Sequence, residues 1–377
     1  MRITFAHSPR SSIGIEWELA VVDPRSGELI PRAPELLTAL PTAGADGPNG
    51  VAGELLTNTI ELVSGVHRTV DGAVGELETL LGEAHTAAER VGAALISSGT
   101  HPTARWEDQE ISPSERYARL IERTQWWGRN MLIWGLHVHV GVERADKAIP
   151  LLNALSPQLS MLQSLTASSP YWAGQDTGFA SQRAMMFQQL PGAGLPEILP
   201  DWDAYERHVT ALCRAEGITD HSELRWDLRP SPRWGTIEMR ALDAPSSLTE
   251  LASAAALVHC LTEEASRALD AGQHPAHPAA WRLHENKWRS ARYGLDAVLV
   301  TNDDGDTAPV RDELTSAAER LRPIAEDLGC VAELAAVAEI AARPGSAERQ
   351  RAAVRAHDGD PAAAVRALMA ELRAGRD

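Results

Sequence analysis

The stretch that most restricts what this chain can fold into is Ile13-Gly14-Ile15-Glu16-Trp17-Glu18-Leu19-Ala20-Val21-Val22. Its composition predicts a β-strand. Successive side chains of a strand point to opposite faces, so Glu16 and Glu18 share one face while Ile15, Trp17 and Leu19 share the other. Two carboxylates about 7 Å apart on a rigid sheet repel one another by roughly 2 kcal/mol at an effective dielectric near 20. An isolated pair of this kind is an ordinary solvated face. Further carboxylates converging on the same face would add to the repulsion and call for a cation.

Later segments bring similar chemistry. Gly53 to Ser64 reads as a second strand, carrying Glu54 and Glu61. Their odd spacing puts them on opposite faces unless a bulge or bend intervenes. Residues 129–142 read as a strand in which His137 and His139 share a face. In Thr236-Ile237-Glu238-Met239-Arg240 the polar side chains alternate with apolar ones, and Arg225, Arg229, Arg233 and Arg240 cluster within sixteen residues. Arginine's planar fork suits phosphate and carboxylate.

The His-x-His pair admits more than one reading, since it occurs in zinc amidohydrolases, in cupins and in magnesium ligases. Its mid-chain position disfavours the first, and Met131, where the cupin pattern wants Gly, disfavours the second. Oxygen-rich donors with one imidazole favour Mg²⁺ or Mn²⁺ over zinc. Carboxylates on antiparallel strands beside an arginine cluster describe a metal-nucleotide phosphoryl-transfer site. A phosphate loop is absent: of 35 basic residues only Lys147 and Lys287 are lysines, and neither stands in the required glycine context.

Charge restricts the partners. A formal net charge of −17 argues against nucleic acid or an anionic membrane as the main partner, since both need a basic face. The first twelve residues hold no apolar signal core, and no apolar run approaches the roughly 18 residues of a membrane span. Cys213, Cys260 and Cys330 are odd in number and far apart in sequence, which suits a reducing compartment. A cytoplasmic protein acting on small molecules is expected, with a homodimer admitted.

The remaining pattern is helical. Helices are predicted over 69–92, 113–128, 150–168, 279–293 and from Ser247, in a capping box with Glu250, to about Asp270. Leu29-Ile30 and 94–98 read as short strands, 41–50 as a loop, 274–278 as a linker, and His101 as a loop residue. A long irregular loop over 168–183 is a candidate binding loop. A hairpin turns at Asp303 to Asp306, and everything after Arg311 reads as helices broken at Pro344-Gly345 and Asp358 to Pro361.

Taken together, Gly14-Ile15-Glu16-Trp17-Glu18, the Glu54/Glu61 spacing, Gly135-Leu136-His137-Val138-His139-Val140-Gly141, the run Arg225 to Arg240, and Lys287 to Gly294 resemble the carboxylate-amine ligases called glutamate-cysteine ligase type 2. The resemblance covers about residues 10–300. It implies an α+β, glutamine synthetase-like fold: a curved antiparallel sheet forming an open funnel, backed by helices. Residues 1–300 would be the catalytic domain and 301–377 a helical extension packed on it. It further implies that Glu16, Glu18, Glu54, Glu61, His137 and Glu238 hold up to three divalent ions. Arg229, Arg240 and His139 would meet the transferred phosphate or the substrate carboxylate, with Arg183, Arg225, Asp227 and Arg292 binding substrate or nucleotide. The reaction implied is ATP-dependent phosphorylation of a carboxylate, that of glutamate, followed by amine attack to form an amide. Guanidino-kinase chemistry on the same fold and a non-catalytic binding protein are the alternatives.

Overall fold

The computed structural model describes residues 2–40, 49–273 and 277–375. Seven strands build its central sheet: β1 (Ile13–Val22), β2 (Gly50–Gly53), β3 (Thr59–Val63), β4 (Ala94–Ile96), β5 (Gly135–Gly141), β6 (Leu228–Ser231) and β7 (Thr236–Asp243). They lie in the order β6-β7-β5-β1-β3-β2, and every pairing is antiparallel. On the edge of β1 away from β3, β5 pairs with Ile13 to Trp17 and β4 with Ala20 to Val22. The sheet is open, and the α+β class follows from the sequence as expected.

Strand alternation gives the sheet two unlike faces. Ile13, Ile15, Trp17 and Leu19 of β1, Ile60 and Leu62 of β3, Leu136, Val138 and Val140 of β5, and Ile237 and Met239 of β7 are all buried in one core. Two of the indoles buried there have their N–H groups satisfied: Trp17 Nε1 donates to Ser97 Oγ at 2.8 Å and Trp134 Nε1 to Thr59 Oγ1 at 2.9 Å. Helices Val70–Arg90 and Leu248–Asp270 contribute apolar side chains to the same core, as do Val310–Leu328, Val331–Ala341 and Ala362–Ala374. The polar side chains of the strands point the other way.

Several boundaries differ from the sequence expectation. Residues 53–64 are not one strand: β2 ends at Gly53, and the chain leaves the ladder before β3 begins at Thr59. The excursion pairs with a distant segment instead, through Ser112 N–H to Leu55 O at 2.8 Å and Thr57 N–H to Glu110 O at 3.0 Å. The helix expected over 113–128 stops at Thr124, where Gln125 takes a φ of +50°, and a single turn Trp126–Arg129 follows. Of the strand expected over 129–142, only Gly135–Gly141 joins the sheet. The expected 150–168 helix starts earlier and is split into Ala145–Leu155 and Leu159–Thr166 by a 3-10 turn.

Leu29 makes one bridge, to Val22. Ser247 Oγ caps its helix by accepting from Glu250 N–H, but the Glu250 carboxylate is drawn to Ser246 and Arg349, so the reciprocal half of the box is missing. Helices Ala33–Ala39 and Trp202–Arg214 were not anticipated. The hairpin Val298–Val300 with Thr307–Pro309 and the helix breaks at Pro344-Gly345 and Asp358 to Pro361 occur where expected, while a further break at Gly329-Cys330 does not follow from the sequence reading. Residues 41–48 of the predicted loop and 274–276 of the predicted linker lie outside the described residues.

Asp243, at the end of β7, ties the 168–183 loop to the sheet. Its fully buried carboxylate accepts from Ser168 N–H at 3.0 Å, Ser169 Oγ at 2.6 Å and Ser181 Oγ at 2.8 Å. Gly99 makes room for this knot, since a Cβ there would fall 2.5 Å from Asp243 Cγ. Gly99→Ala should therefore destabilise the protein by about 1–3 kcal/mol through overpacking. Gly82→Ala, in the open middle of helix Val70–Arg90, should stabilise it by about 0.5–1 kcal/mol. Urea unfolding of both variants checks the pair, and a neutral Gly99→Ala would refute the close approach.

Candidate active site

Strand register assembles the site. Glu16 lies opposite His137, Glu18 opposite Glu61, His139 opposite Glu238, and Glu238 opposite Arg229. Directly opposed residues share a face. The four strands β7, β5, β1 and β3 thus carry their ionisable groups onto the polar side of the sheet. Glu54 joins them because the chain turns out of the ladder after β2, so the odd spacing from Glu61 no longer separates them.

These groups line a cavity of about 730 Å³. Of the residues singled out from the sequence, Glu16, Glu18, Glu54, Glu61, His137, His139, Arg183, Arg225, Arg229, Glu238 and Arg240 all face it. Asp227 and Arg292 do not. Asp227 is buried in an ion pair with Lys287 Nζ at 2.6 Å, and its carbonyl accepts from Arg240 N–H at 2.8 Å. Arg292 is turned to the Gly178 carbonyl and lies over the rings of Phe179 and Tyr293, at 5.7 and 4.9 Å. Their place is in the supporting structure.

Two triads stand out. In Glu16–His137–Glu238 and in Glu18–Glu54–Glu61, one ligand-type atom from each residue lies within 4.8 Å of the others. Their electrostatics differ. Burial would raise the Glu16 carboxyl, but hydrogen bonds from His137, at 3.0 Å, and His139 hold it well below the usual range. Glu238 is likewise held low against burial by Arg229, which grips it at 2.7 and 3.2 Å, and by Arg240. His137 is pushed down to about 4 by burial and by Arg240, and so is neutral. For His139 burial is outweighed by Glu238 and Glu16, at 3.9 and 3.3 Å, so its pKa is raised.

In the second triad the compensation from Arg183 and Arg240 falls short. Glu18 is pushed up to about 7 by burial and by Glu54, and Glu61 is raised by burial and by Glu16, Glu54 and Glu18. Among the described residues none of the three carboxylates forms an ion pair within 4.0 Å; Glu18 accepts from Gly135 N–H, and Glu54 from Leu55 N–H and Tyr117 Oη. Three converging carboxylates, with the proton affinity of Glu18 and Glu61 raised, suit a hard divalent cation.

Arg240 is aimed by the strand itself. The β5–β7 register shifts between Met239 and Leu242, a bulge that bends the strand where Arg240 leaves it. Its guanidinium pairs with Glu238, while its buried Nε has no partner among the described residues. Arg183 runs across Gly135, where a Cβ would meet its guanidinium at 2.2 Å, and donates to the Arg240 carbonyl.

The sequence reading missed one wall. Arg116, Tyr117, Arg119 and Arg123 of helix Glu115–Thr124 line the cavity, as does Trp234 at the β6–β7 turn. The signal was available: Arg116, Arg119 and Arg123 recur at the three- and four-residue spacing of one helical face.

The sequence profile described as "Glutamate-cysteine ligase family 2(GCS2)" matches residues 12–367. A chain of Leifsonia xyli subsp. xyli (strain CTCB07), given the provisional name glutamate–cysteine ligase 2, is 50% identical over 374 residues, covering 99% of each chain. A similarly named chain of Mycobacterium ulcerans (strain Agy99) is 48% identical over 372 residues, covering 98% of this chain and 93% of that one. Among solved structures, the Francisella tularensis glutamate–cysteine ligase in complex with AMP superposes with a TM-score of 0.72 at 14% identity, covering 98% of this chain and 89% of that one. A bifunctional glutathione synthetase of Pasteurella multocida gives 0.63 at 15% identity, covering 96% of this chain and 51% of that one. These two share the fold. With its profile match spanning nearly the whole length, the chain belongs to glutamate-cysteine ligase family 2 and is an amide-forming carboxylate–amine ligase.

Proposed function

We propose that the protein uses ATP to phosphorylate the carboxylate of glutamate and couples the acyl phosphate to an amine, releasing ADP and phosphate. The observation that carries this reading is the convergence of two acid-rich triads with Arg229 and Arg240 in one cavity. The AMP held by the Francisella neighbour supports a nucleotide as the phosphoryl donor. In the first step a carboxylate oxygen attacks the γ-phosphorus and ADP leaves. In the second the amine nitrogen attacks the acyl carbon, loses a proton and expels phosphate.

The chain's own residues serve both steps. Arg240 is already turned toward the triads, and its unpartnered Nε offers a donor to the transferred group. Arg229 fixes Glu238 by its bidentate grip. His139, whose pKa Glu238 and Glu16 raise against burial, stands between those two carboxylates. Glu18, Glu54 and Glu61, and separately Glu16, His137 and Glu238, would hold Mg²⁺ or Mn²⁺, which when bound neutralises charge on the nucleotide phosphates. The helices beyond residue 301 are read as an extension that buttresses residues 1–300. No observation favours guanidino-kinase chemistry or a non-catalytic scaffold.

Purified protein with Mg²⁺ and ATP should release ADP only when glutamate and an amine from a panel of amino acids are both supplied, with the amide seen by mass spectrometry. ADP release that survives EDTA, or that yields no amide, would overturn the reading. Arg240→Lys keeps the charge and loses the planar fork, so kcat should fall roughly 10²-fold with the KM for ATP changing much less. An unchanged kcat would remove Arg240 from the site.

The raised carboxyls give a pH test. A carboxyl whose folded pKa lies above its unfolded value of 4.5 favours the folded state at low pH, and this contribution is lost as pH rises toward 7. Glu18 faces the open cavity and is partly screened by water, so its contribution is about 1–2 kcal/mol. Metal-free protein should therefore lose more stability between pH 5 and 8 than its Glu18→Gln variant. Mg²⁺ should raise the melting temperature more at pH 8 than at pH 6, because at pH 6 it competes with protons. Equal shifts at both pH values would contradict a metal on these carboxylates.

A further inference from the structure

Two charged side chains carried by the sequence motifs stay outside the cavity: Asp227, inside the run Arg225 to Arg240, and Lys287, which opens the run to Gly294. They meet each other. Lys287 Nζ lies 2.6 Å from Asp227 Oδ2, with 8% and 4% of the two residues exposed, and among the described residues neither has another ion-pair partner within 4.0 Å. A buried ion pair adds little net stability over apolar side chains of the same volume; what it can fix is one arrangement over others. The ammonium is offered from a fixed support. Gln163 Nε2 donates to the Lys287 carbonyl at 3.1 Å, and the Asn286 side chain donates to Val300 O at 2.8 Å and accepts from Val300 N–H at 2.7 Å.

What the pair fixes is the main chain of Arg240. The β6–β7 register ends at Leu228 opposite Met239, and the β5–β7 register passes from Met239 to Leu242, so neither gives Arg240 a residue opposite it. Its backbone is held in another way: its N–H donates to the Asp227 carbonyl at 2.8 Å, and its carbonyl accepts from Arg183 Nη2 at 3.2 Å. Asp227 donates its own N–H to the Gly194 carbonyl at 2.8 Å. The residue that receives Arg240 is thus tied to Gly194 through its backbone and to Lys287 through its carboxylate. Arg183 is placed independently, its N–H on Ser169 Oγ at 3.1 Å, which itself donates to Asp243 at 2.6 Å. A shift of the Asp227 carbonyl turns the peptide before Arg240 and swings the guanidinium at the end of that long side chain across the cavity.

We propose that Lys287 is a positioning residue for the ligase reaction: by holding Asp227 it fixes the Arg240 backbone at the bulge and so aims the guanidinium at the transferred group. The proposal rests on the role given to Arg240 above. Lys287 lies outside the cavity, so its loss should appear in kcat, where geometry during charge rearrangement counts, and little in the KM for ATP or glutamate. The effect should also vanish once Arg240 has lost its planar fork, because there is then nothing left to aim.

A double-mutant cycle on steady-state kcat tests this. Lys287→Met should lower kcat about tenfold, less than the roughly 10²-fold cost of a misplacement of about 1 Å, with either KM changing by less than about threefold. In the Arg240→Lys background the same replacement should lower kcat by less than about twofold, whereas a general structural role predicts a second loss of about tenfold. Lys287→Gln combined with Asp227→Asn offers a neutral hydrogen bond and leaves no unpaired charge, so its kcat should return to within about threefold of wild type. If thermal melting shows Lys287→Met to be unfolded, Lys287→Gln, which keeps a donor, carries the cycle in its place. A wild-type kcat in the Lys287 variant, equal losses in both backgrounds, or a neutral pair no better than Lys287→Gln alone would overturn the proposal. An unchanged kcat in Arg240→Lys itself defeats the role of Arg240 and this proposal with it, while a fall there with equal Lys287 losses in both backgrounds defeats the proposal alone.

Discussion

The arrangement depends on like charges that the backbone forces together. The β1–β3 register sets Glu18 directly against Glu61, and Glu54 arrives beside them from the end of β2. Cross-strand like charges are destabilising. What holds them in place is the opposite face of the same strands, where Ile15, Trp17, Leu19, Ile60 and Leu62 are buried. A one-residue slip would relieve the carboxylates and at once put this apolar set into water. The core therefore fixes the register, and the register fixes the site.

Charge is distributed unevenly across that face. Glu238 and Glu16 are matched by arginine and histidine within hydrogen-bonding reach, whereas Glu18 and Glu61 are left with raised proton affinity. The matched triad is preorganised in the protein alone. In the unmatched one Arg183 and Arg240 offset burial and carboxylate repulsion only in part, and among the described residues no cation pairs with it within 4.0 Å. A third region, with Arg116 and Arg225 in no ion pair within 4.0 Å among the described residues, is unmatched in the opposite sense. Such segregation keeps regions of opposite charge in one cavity from cancelling each other's attraction.

Much of this was legible in the residue pattern because strands repeat with period two. Glu16 with Glu18, His137 with His139, and Glu238 with Arg240 were each placed on one face from spacing alone, and the structure puts all of them in the cavity. Glu54 with Glu61 failed the same rule, since hydrogen bonds to residues 110–112 pull the chain out of the ladder between them. No local pattern announces a partner fifty residues away. Asp227 and Arg292 show the converse limit: a charged residue inside a site-like motif can be spent on a structural pair, here with Lys287 and with the Gly178 carbonyl. The arginine face of helix Glu115–Thr124 was visible as periodicity, but nothing local said which way it would point.

Whether these triads hold divalent cations is tested most directly by counting bound Mn²⁺ from the paramagnetic signal of the free ion. Wild-type protein should bind one Mn²⁺ at each triad, and Glu61→Gln should abolish the one at Glu18–Glu54–Glu61 while leaving the other. Saturable binding that is untouched by Glu61→Gln, or no saturable binding at all, would contradict the account.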